Sequence, residues 1–481
     1  MKALVLLHRW LGMGFCLLFA MWFASGIVMH FVPFPSLTEG MRFAGLLPID
    51  LAQVRHGPDE VIAASDANAS RVRLLQRVDG PVYIRSGSSK PIAVHASDLS
   101  DASVKSGSLA LAIAQQHARE RAIDASHAVL AGVLDYDQWS VPDGFDRYRP
   151  LYRVALNDSI GTELHVASTT GEIVLATTRR ERAWNYAGSV AHWIYPAALR
   201  KHAAAWDNIM WTLSLIALIT AIAGTVLGLA RLRIADRRVQ TPFRGWQAWH
   251  HVLGLFTATL VLTWIFSGWL SMDHGLLFSR GQLSAAESAS MAATPNWSVL
   301  AGNQRLIAAP VKEVEWFALG DRFYRRERAS LDAQSVFAIG APAENPRKAQ
   351  PFLSVQQVKA FVRPIAPNCA APVIVGARDG YPMTSLVPNA PVYRSICGDV
   401  WFHVDGATGA MLERLDSSRR SYRWLYAGLH TLDFPVLLDH PLFRSALIVL
   451  LCALGFVFSV TGAVIGWRRL RLQFAQQGEP V

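Results

Sequence analysis

Four apolar windows constrain this chain more than any other feature: approximately Leu4–Phe31, Trp206–Leu229, His250–Met272 and Phe443–Trp467. A bilayer hydrocarbon core of roughly 30 Å takes about 20 helical residues to cross, and each window is long enough. The first, LLHRWLGMGFCLLFAMWFASGIVMHF, exceeds the usual apolar core of a secretory signal. It also lacks a clear A-x-A site before Pro33, so it is read as an anchor. The remaining sequence, 32–204 and 274–441, forms two domain-sized loops. The chain is therefore read as an integral membrane protein.

Basic residues in short flanks set the orientation. ARLRIADRRVQTPFRG carries Arg231, Arg233, Arg237, Arg238 and Arg244 against one Asp, and the tail WRRLRLQ carries Arg468, Arg469 and Arg471. Both segments should be cytoplasmic, which puts both termini inside and both large loops outside. The net charge of +10 partly reflects this bias, and no basic soluble module suggests a nucleic-acid partner. Cys16 and Cys452 fall in membrane windows as packing residues. Cys369 and Cys397 share the second outer loop, where a disulfide can persist. No C-x-x-C or Cys/His zinc spacing occurs.

The chain repeats itself. Placing His8 on His250 also places Leu11 on Leu253, Gly12 on Gly254, Leu18 on Leu260, Trp22 on Trp264, Ser25 on Ser267 and Gly26 on Gly268. YRVALNDSIGTELHVASTTGEIV resembles YRSICGDVWFHVDGATGAML, and WNYAGSVAHWIYPAALRKH resembles WLYAGLHTLDFPVLLDH. AIAGTVLGLARLR matches SVTGAVIGWRRLR. Several blocks in one order define two parallel repeats, each a helix in, an outer domain and a helix out. The expected fold is an α-helical membrane protein, a four-helix bundle with an inserted α+β domain in each repeat. Its parts are helix 1–31, loop domain 32–204, helix 205–230, Arg-rich connection 231–248, helix 249–273, loop domain 274–441, helix 442–467 and tail 468–481. ALAIAQQHARERA and SVQQVKAFVRPI are amphipathic helix candidates. Thr170-Gly171 and Thr408-Gly409 mark hairpin turns. SDANAS (65–70) and SRGQLSAAESASMAATPN (279–296) read as loops.

Ionisable groups in membrane helices ask for a function. His8 and His30 are separated by roughly 33 Å along one helix, so they belong to two centres. His8 and His250 lie at the cytoplasmic ends of helices one and three, with His251 as an alternative from the same turn. At the outer face sit His30, His192, His202, His274, His430 and His440, distributed over all four helices. Haem b suits imidazoles from facing helices in a dry bundle, with Arg available to its propionates. Zinc would add Cys or carboxylates, copper would add Met in a compact motif, and a proton path built on His stays open. Two haems are expected, with iron held through some set among His8, His250, His202, His440, His430 and His192. Gly12, Gly14, Gly26, Gly254 and Gly268 would admit a flat macrocycle or serve close helix packing. His165 and His403 align within the outer hairpins as surface strand residues.

LHRWLG at 7–12, the paired outer domains ending in T-G-E-I or T-G-A-M, and the G-x-x-x-G-plus-Arg endings resemble the PepSY-associated transmembrane family. Within that family the similarity is to the inner-membrane siderophore reductases. The resemblance implies a membrane core carrying b-type haem, periplasmic PepSY modules, and reduction of ferric chelates for iron acquisition. By motif, His8, His250 and His430 carry over as ligands, while His202 and His440 are additional. Arg179–Arg180 and Arg419–Arg420 would attract an anionic chelate or simply face solvent. No G-x-G-x-x-G or P-loop follows a strand pattern, so the donor would be quinol or a separate cytoplasmic reductase. Two other readings stand beside this one: a regulatory or binding membrane protein without enzymatic activity, and a metal or siderophore permease.

Overall fold

The computed structural model describes residues 1–64, 69–87, 90–235, 238–291, 296–308, 310–320, 322–340 and 349–477. It divides the chain into two compact units. One comprises Met1–Phe34, Ala183–Ser279 and Arg420–Val481, the other Pro35–Arg182 and Arg280–Arg419.

The first unit is helical. Lys2–Phe31, Ala203–Ala230 and Pro441–Phe474 are continuous helices long and apolar enough to cross a membrane. The third expected span is a broken pair, Gly245–Phe256 and Ala258–Ser271, bent by 67°. At the break, the Thr257 hydroxyl donates to the Leu253 carbonyl (2.8 Å), the same oxygen that accepts the Thr257 backbone N–H. The bend divides the span's packing: Gly245–Phe256 lies chiefly against the last span and Ala258–Ser271 against Ala203–Ala230. The first span packs on both of the other continuous helices. Phe19, Phe23, Ala217, Trp264, Ile448 and Cys452 form a common buried cluster.

The second unit is α+β. The two long loops, read from the sequence as one domain each, contribute to a single six-stranded antiparallel sheet. Its order is Gln334–Ile339, Arg322–Arg328, Glu313–Leu319, Ala69–Arg77, Gly80–Gly87, Ile92–His95. The central pair joins the repeats and sets Arg73 opposite Glu315. Strand alternation sends Val72, Leu74, Val314 and Trp316 into an apolar core. The opposite face is ionic: Glu313 meets Arg328 at 2.9 Å, Arg42 at 3.0 Å and Arg73 at 3.4 Å, and Glu315 meets Arg326 at 2.7 Å and Arg71 at 3.0 Å. Burial alone would raise the Glu313 carboxyl, but Arg42, Arg73, Arg326 and Arg328 hold it well below the ordinary carboxylate range.

Each half also builds a four-stranded sheet, Val129–Thr177 in the first and Val373–Leu415 in the second. Each carries its predicted helix, Gly107–Glu120 or Val355–Val362. The expected hairpins form at Gly171 and Gly409, whose φ of 72° and 65° explain the glycines. Cys369 and Cys397 are bridged. Three expectations change. Ala285–Met291, read as loop, is a short helix; Ala69 and Ser70, the end of the SDANAS loop, open the strand Ala69–Arg77, while 65–68 lie outside the described residues. His165 and His403, read as surface residues, are fully buried. Their strand registers oppose Arg153 and Arg394 on the face away from the helix, where His165 bonds Asp137 (2.7 Å) and His403 accepts from Arg394 (2.8 Å).

Candidate functional site

The helical unit brings four of the eight candidate histidines together as two pairs. His8, on the first span, and His250, on the first segment of the bent span, have ring centroids 6.4 Å apart. His8 packs on the second span at Gly224, where an added Cβ would stand 2.6 Å from its Cε1. Its Nδ1 lies 3.2 Å from the Thr220 carbonyl. A carbonyl only accepts, so Nδ1 carries the proton and Nε2 keeps a lone pair. His250 repeats the arrangement on the last span, where a Cβ added at Gly462 would stand 3.4 Å from its Cε1 and Thr461 Oγ1 lies 2.9 Å from Nδ1. That hydroxyl donates its own proton to the Phe458 carbonyl (2.6 Å). It must therefore accept from His250, which again leaves Nε2 as an acceptor.

The second pair is His192 with His430, centroids 6.2 Å apart. Each follows a single π-helical turn, Tyr186–Val190 or Trp424–Gly428; such turns cluster at functional sites. Their Nδ1 atoms lie 3.0 Å from Ser25 Oγ and Ser267 Oγ respectively. Ser25 donates to the Met21 carbonyl (2.6 Å) and Ser267 to the Trp264 carbonyl (3.1 Å). Both hydroxyls therefore accept from the rings. The carbonyls of Trp22 and Trp264 also lie within reach of the same side chains. All four imidazoles thus hold one tautomer, Nδ1–H anchored and Nε2 uncommitted. Gly26 and Gly268 sit against the Cε1 edges of His192 and His430. Both rings are partly buried.

His8 and Gly26 share one continuous helix and are about 27 Å apart along it. The two pairs therefore mark two depths, with Phe23 and Trp264 in ring contact (5.8 Å) among the cluster between them. A cavity of about 430 Å³ opens at His8 and His250, lined by apolar side chains together with Arg9, Arg231 and Arg469.

The other candidates join neither pair; His251, the alternative to His250, lines the same cavity. His251 has both nitrogens engaged, with Thr241 Oγ1 and the Gly228 carbonyl, each at 2.9 Å. His30 reaches Ser445 Oγ (2.8 Å). His274 pairs with Asp207 (2.8 Å) and packs on Trp211. His202 and His440 are exposed just before the second and last spans. Arg419 is held by Glu413 (2.9 Å).

Two imidazoles sharing one iron through bonds of about 2 Å hold their centroids roughly 6 Å apart, the spacing of both pairs. Anchoring the far nitrogen is what metal-bound histidines require of their surroundings. Among the described residues no group of three or more His, Cys, Asp or Glu side chains is placed to share a metal ion; the donors come as pairs. The two pairs are the residues that could each hold a metal or haem iron, and the cavity with its arginines lies at the first. Sequence reasoning marks Ser25 with Ser267 and Gly224 with Gly462 as repeat mates without giving them a role beside the histidines. It misses Thr461, whose repeat mate is Ala223. The chain matches no family model and no curated protein.

Proposed function

We propose that this protein is a two-haem electron carrier of the bacterial inner membrane that reduces a ferric chelate, foremost a ferric siderophore, in the periplasm. In this reading the spans form one bundle of two parallel repeats, and the second unit is a pair of PepSY-like modules. His8 with His250 holds one b-type haem near the cytoplasmic face, and His192 with His430 holds the other near the periplasmic face. Haem b ligated by two imidazoles supplies one-electron transfer.

The chain's own residues prepare those positions. Thr220, Thr461, Ser25 and Ser267 fix the Nδ1–H tautomer, which keeps each Nε2 basic and orients each ring. The apolar walls exclude water, and Arg9, Arg231 and Arg469 offer cations to acidic substituents in the first cavity. The arginines flanking the spans favour a cytoplasmic location for the His8–His250 end. The sequence carries no nucleotide-binding fingerprint, which supports quinol or a separate reductase as donor. One electron converts the chelated Fe(III) to Fe(II), and the lower charge loosens the grip of hard oxygen ligands. The LHRWLG resemblance supports the same reading.

One observation carries it: four imidazoles from separate helical segments meet as two pairs, each with Nδ1 committed and Nε2 free. The test is the visible spectrum of the purified full-length protein. Dithionite should produce sharp α and Soret bands, and ferric citrate or ferrioxamine should reverse them. A flat spectrum, or reduced bands that persist in chelate, overturns the proposal.

A further inference from the structure

The two histidines of the second pair differ in what lies beyond them. His192 has no ring neighbour other than His430 among the described residues. His430 continues into a series of contacting rings, with Tyr426 at 5.6 Å and nearly parallel to it, Tyr422 at 5.5 Å from Tyr426, and Phe278 at 5.4 Å from Tyr422. Tyr422 and Phe278 are both partly exposed, so the series runs from a deep imidazole to a surface.

The asymmetry has a sequence cause. WNYAG and WLYAG align Tyr186 with Tyr426. Only Leu429 separates Gly428 from His430, whereas Ser189, Val190 and Ala191 separate Gly188 from His192. Tyr426 therefore precedes its histidine by four residues and shares its helix face. Tyr186 precedes by six, falls on another face, and is 56% exposed. The residue aligned with Tyr422 is Arg182, which carries no ring.

We propose that the second repeat alone supplies the electron's exit, and that the ferric chelate takes its electron at the Tyr422–Phe278 end of the helical unit. The inference rests on the two-haem reading. Tunnelling decays exponentially with distance and is faster through contacting π systems than across gaps, so this ladder outcompetes any path from His192. One electron leaves the reduced centre at His192–His430 and arrives on the Fe(III) of the chelate, giving Fe(II). The tyrosines are neither oxidised nor deprotonated on the way. The role asks for rings rather than hydroxyls, so phenylalanine should serve as well as tyrosine.

The test uses full-length protein reduced anaerobically with stoichiometric dithionite and mixed with ferric citrate, the Soret band reporting reoxidation. Tyr426→Leu and Tyr422→Leu should each slow reoxidation by about tenfold, while Tyr422→Phe and Tyr186→Leu should leave it unchanged. The midpoint potentials and reduced spectrum of Tyr422→Leu should match those of the unsubstituted protein, which a merely structural effect would not give. Full-speed reoxidation in Tyr422→Leu and Tyr426→Leu with both haems present overturns the ladder alone, as does equal slowing in Tyr186→Leu. Absence of haem bands from the unsubstituted protein overturns the two-haem reading and the ladder with it.

Discussion

On the two-haem proposal, replacing Gly224 by alanine should remove one haem and spare the other. The new Cβ would stand 2.6 Å from His8 Cε1 and 3.1 Å from its Nδ1. Carbon atoms rest about 3.5 Å or more apart, so the ring has to retreat by about 1 Å. The Nδ1 bond to the Thr220 carbonyl, already 3.2 Å, is then lost, and a metal–imidazole bond tolerates displacements of only about 0.2 Å. Gly462, the repeat mate, provides the control. Its added Cβ would lie 3.4 Å from His250 Cε1, close to ordinary contact. Haem measured as the pyridine haemochrome, against protein from amino-acid analysis, should fall from two per chain to one in Gly224→Ala. It should stay at two in Gly462→Ala. Two haems in Gly224→Ala, or a loss confined to Gly462→Ala, would refute the packing argument.

The second unit offers two further tests. Glu313→Gln leaves Arg42, Arg73 and Arg328 facing a neutral amide in a buried site, which should cost about 3–5 kcal/mol in denaturant unfolding of the full chain followed by tryptophan fluorescence. A change below about 1 kcal/mol would mean that the arginines find other partners. His403 is held at about 4 by burial and by Arg394, against the opposing pull of Asp379, and His117 at about 4 by burial with Arg121 and Arg42. Both are neutral when folded and protonate at about 6.5 when unfolded. Their contribution is therefore whole above that pH and is lost as pH falls toward about 4. Thermal unfolding across this window should show declining stability, with a shallower decline in His403→Gln; a profile equally steep in the variant would contradict the assignment.

Much of the helical unit is legible in the sequence because apolar length and an internal repeat are both carried directly by residue type. His8 and His250 are linked on sequence grounds alone, as repeat mates at corresponding ends of their spans. His192 and His430 are harder. The spacing from the WxYAG block differs between the halves, and each histidine follows a π turn that residue type does not announce. His30, His202, His274 and His440 share the same depth in the sequence, but depth says nothing of rotation about a helix axis. That rotation is what sends His30 to Ser445 and His274 to Asp207. The bend at Thr257 is hidden because threonine in an apolar run is compatible with a straight helix. In the second unit, alternation locates the hairpins yet cannot reveal that strands from both loops pair across Arg73 and Glu315. Strand pairing between distant segments leaves no local signature. His165 and His403 read as surface residues because polar positions of an alternating strand ordinarily face solvent. Here that face is closed over by the Asp137 and Asp379 segments.

The most direct test of the two-pair account is the reduced-minus-oxidised spectrum, with electron paramagnetic resonance of the oxidised form, for single histidine replacements in the full chain. Alanine at His8 or His250 should abolish one low-spin haem signal, and alanine at His192 or His430 the other. Replacement of His30, His202, His274 or His440 should leave both. Loss of a haem from any of the last four, with both signals intact after replacing His192 and His430, would contradict the arrangement of ligands set out above.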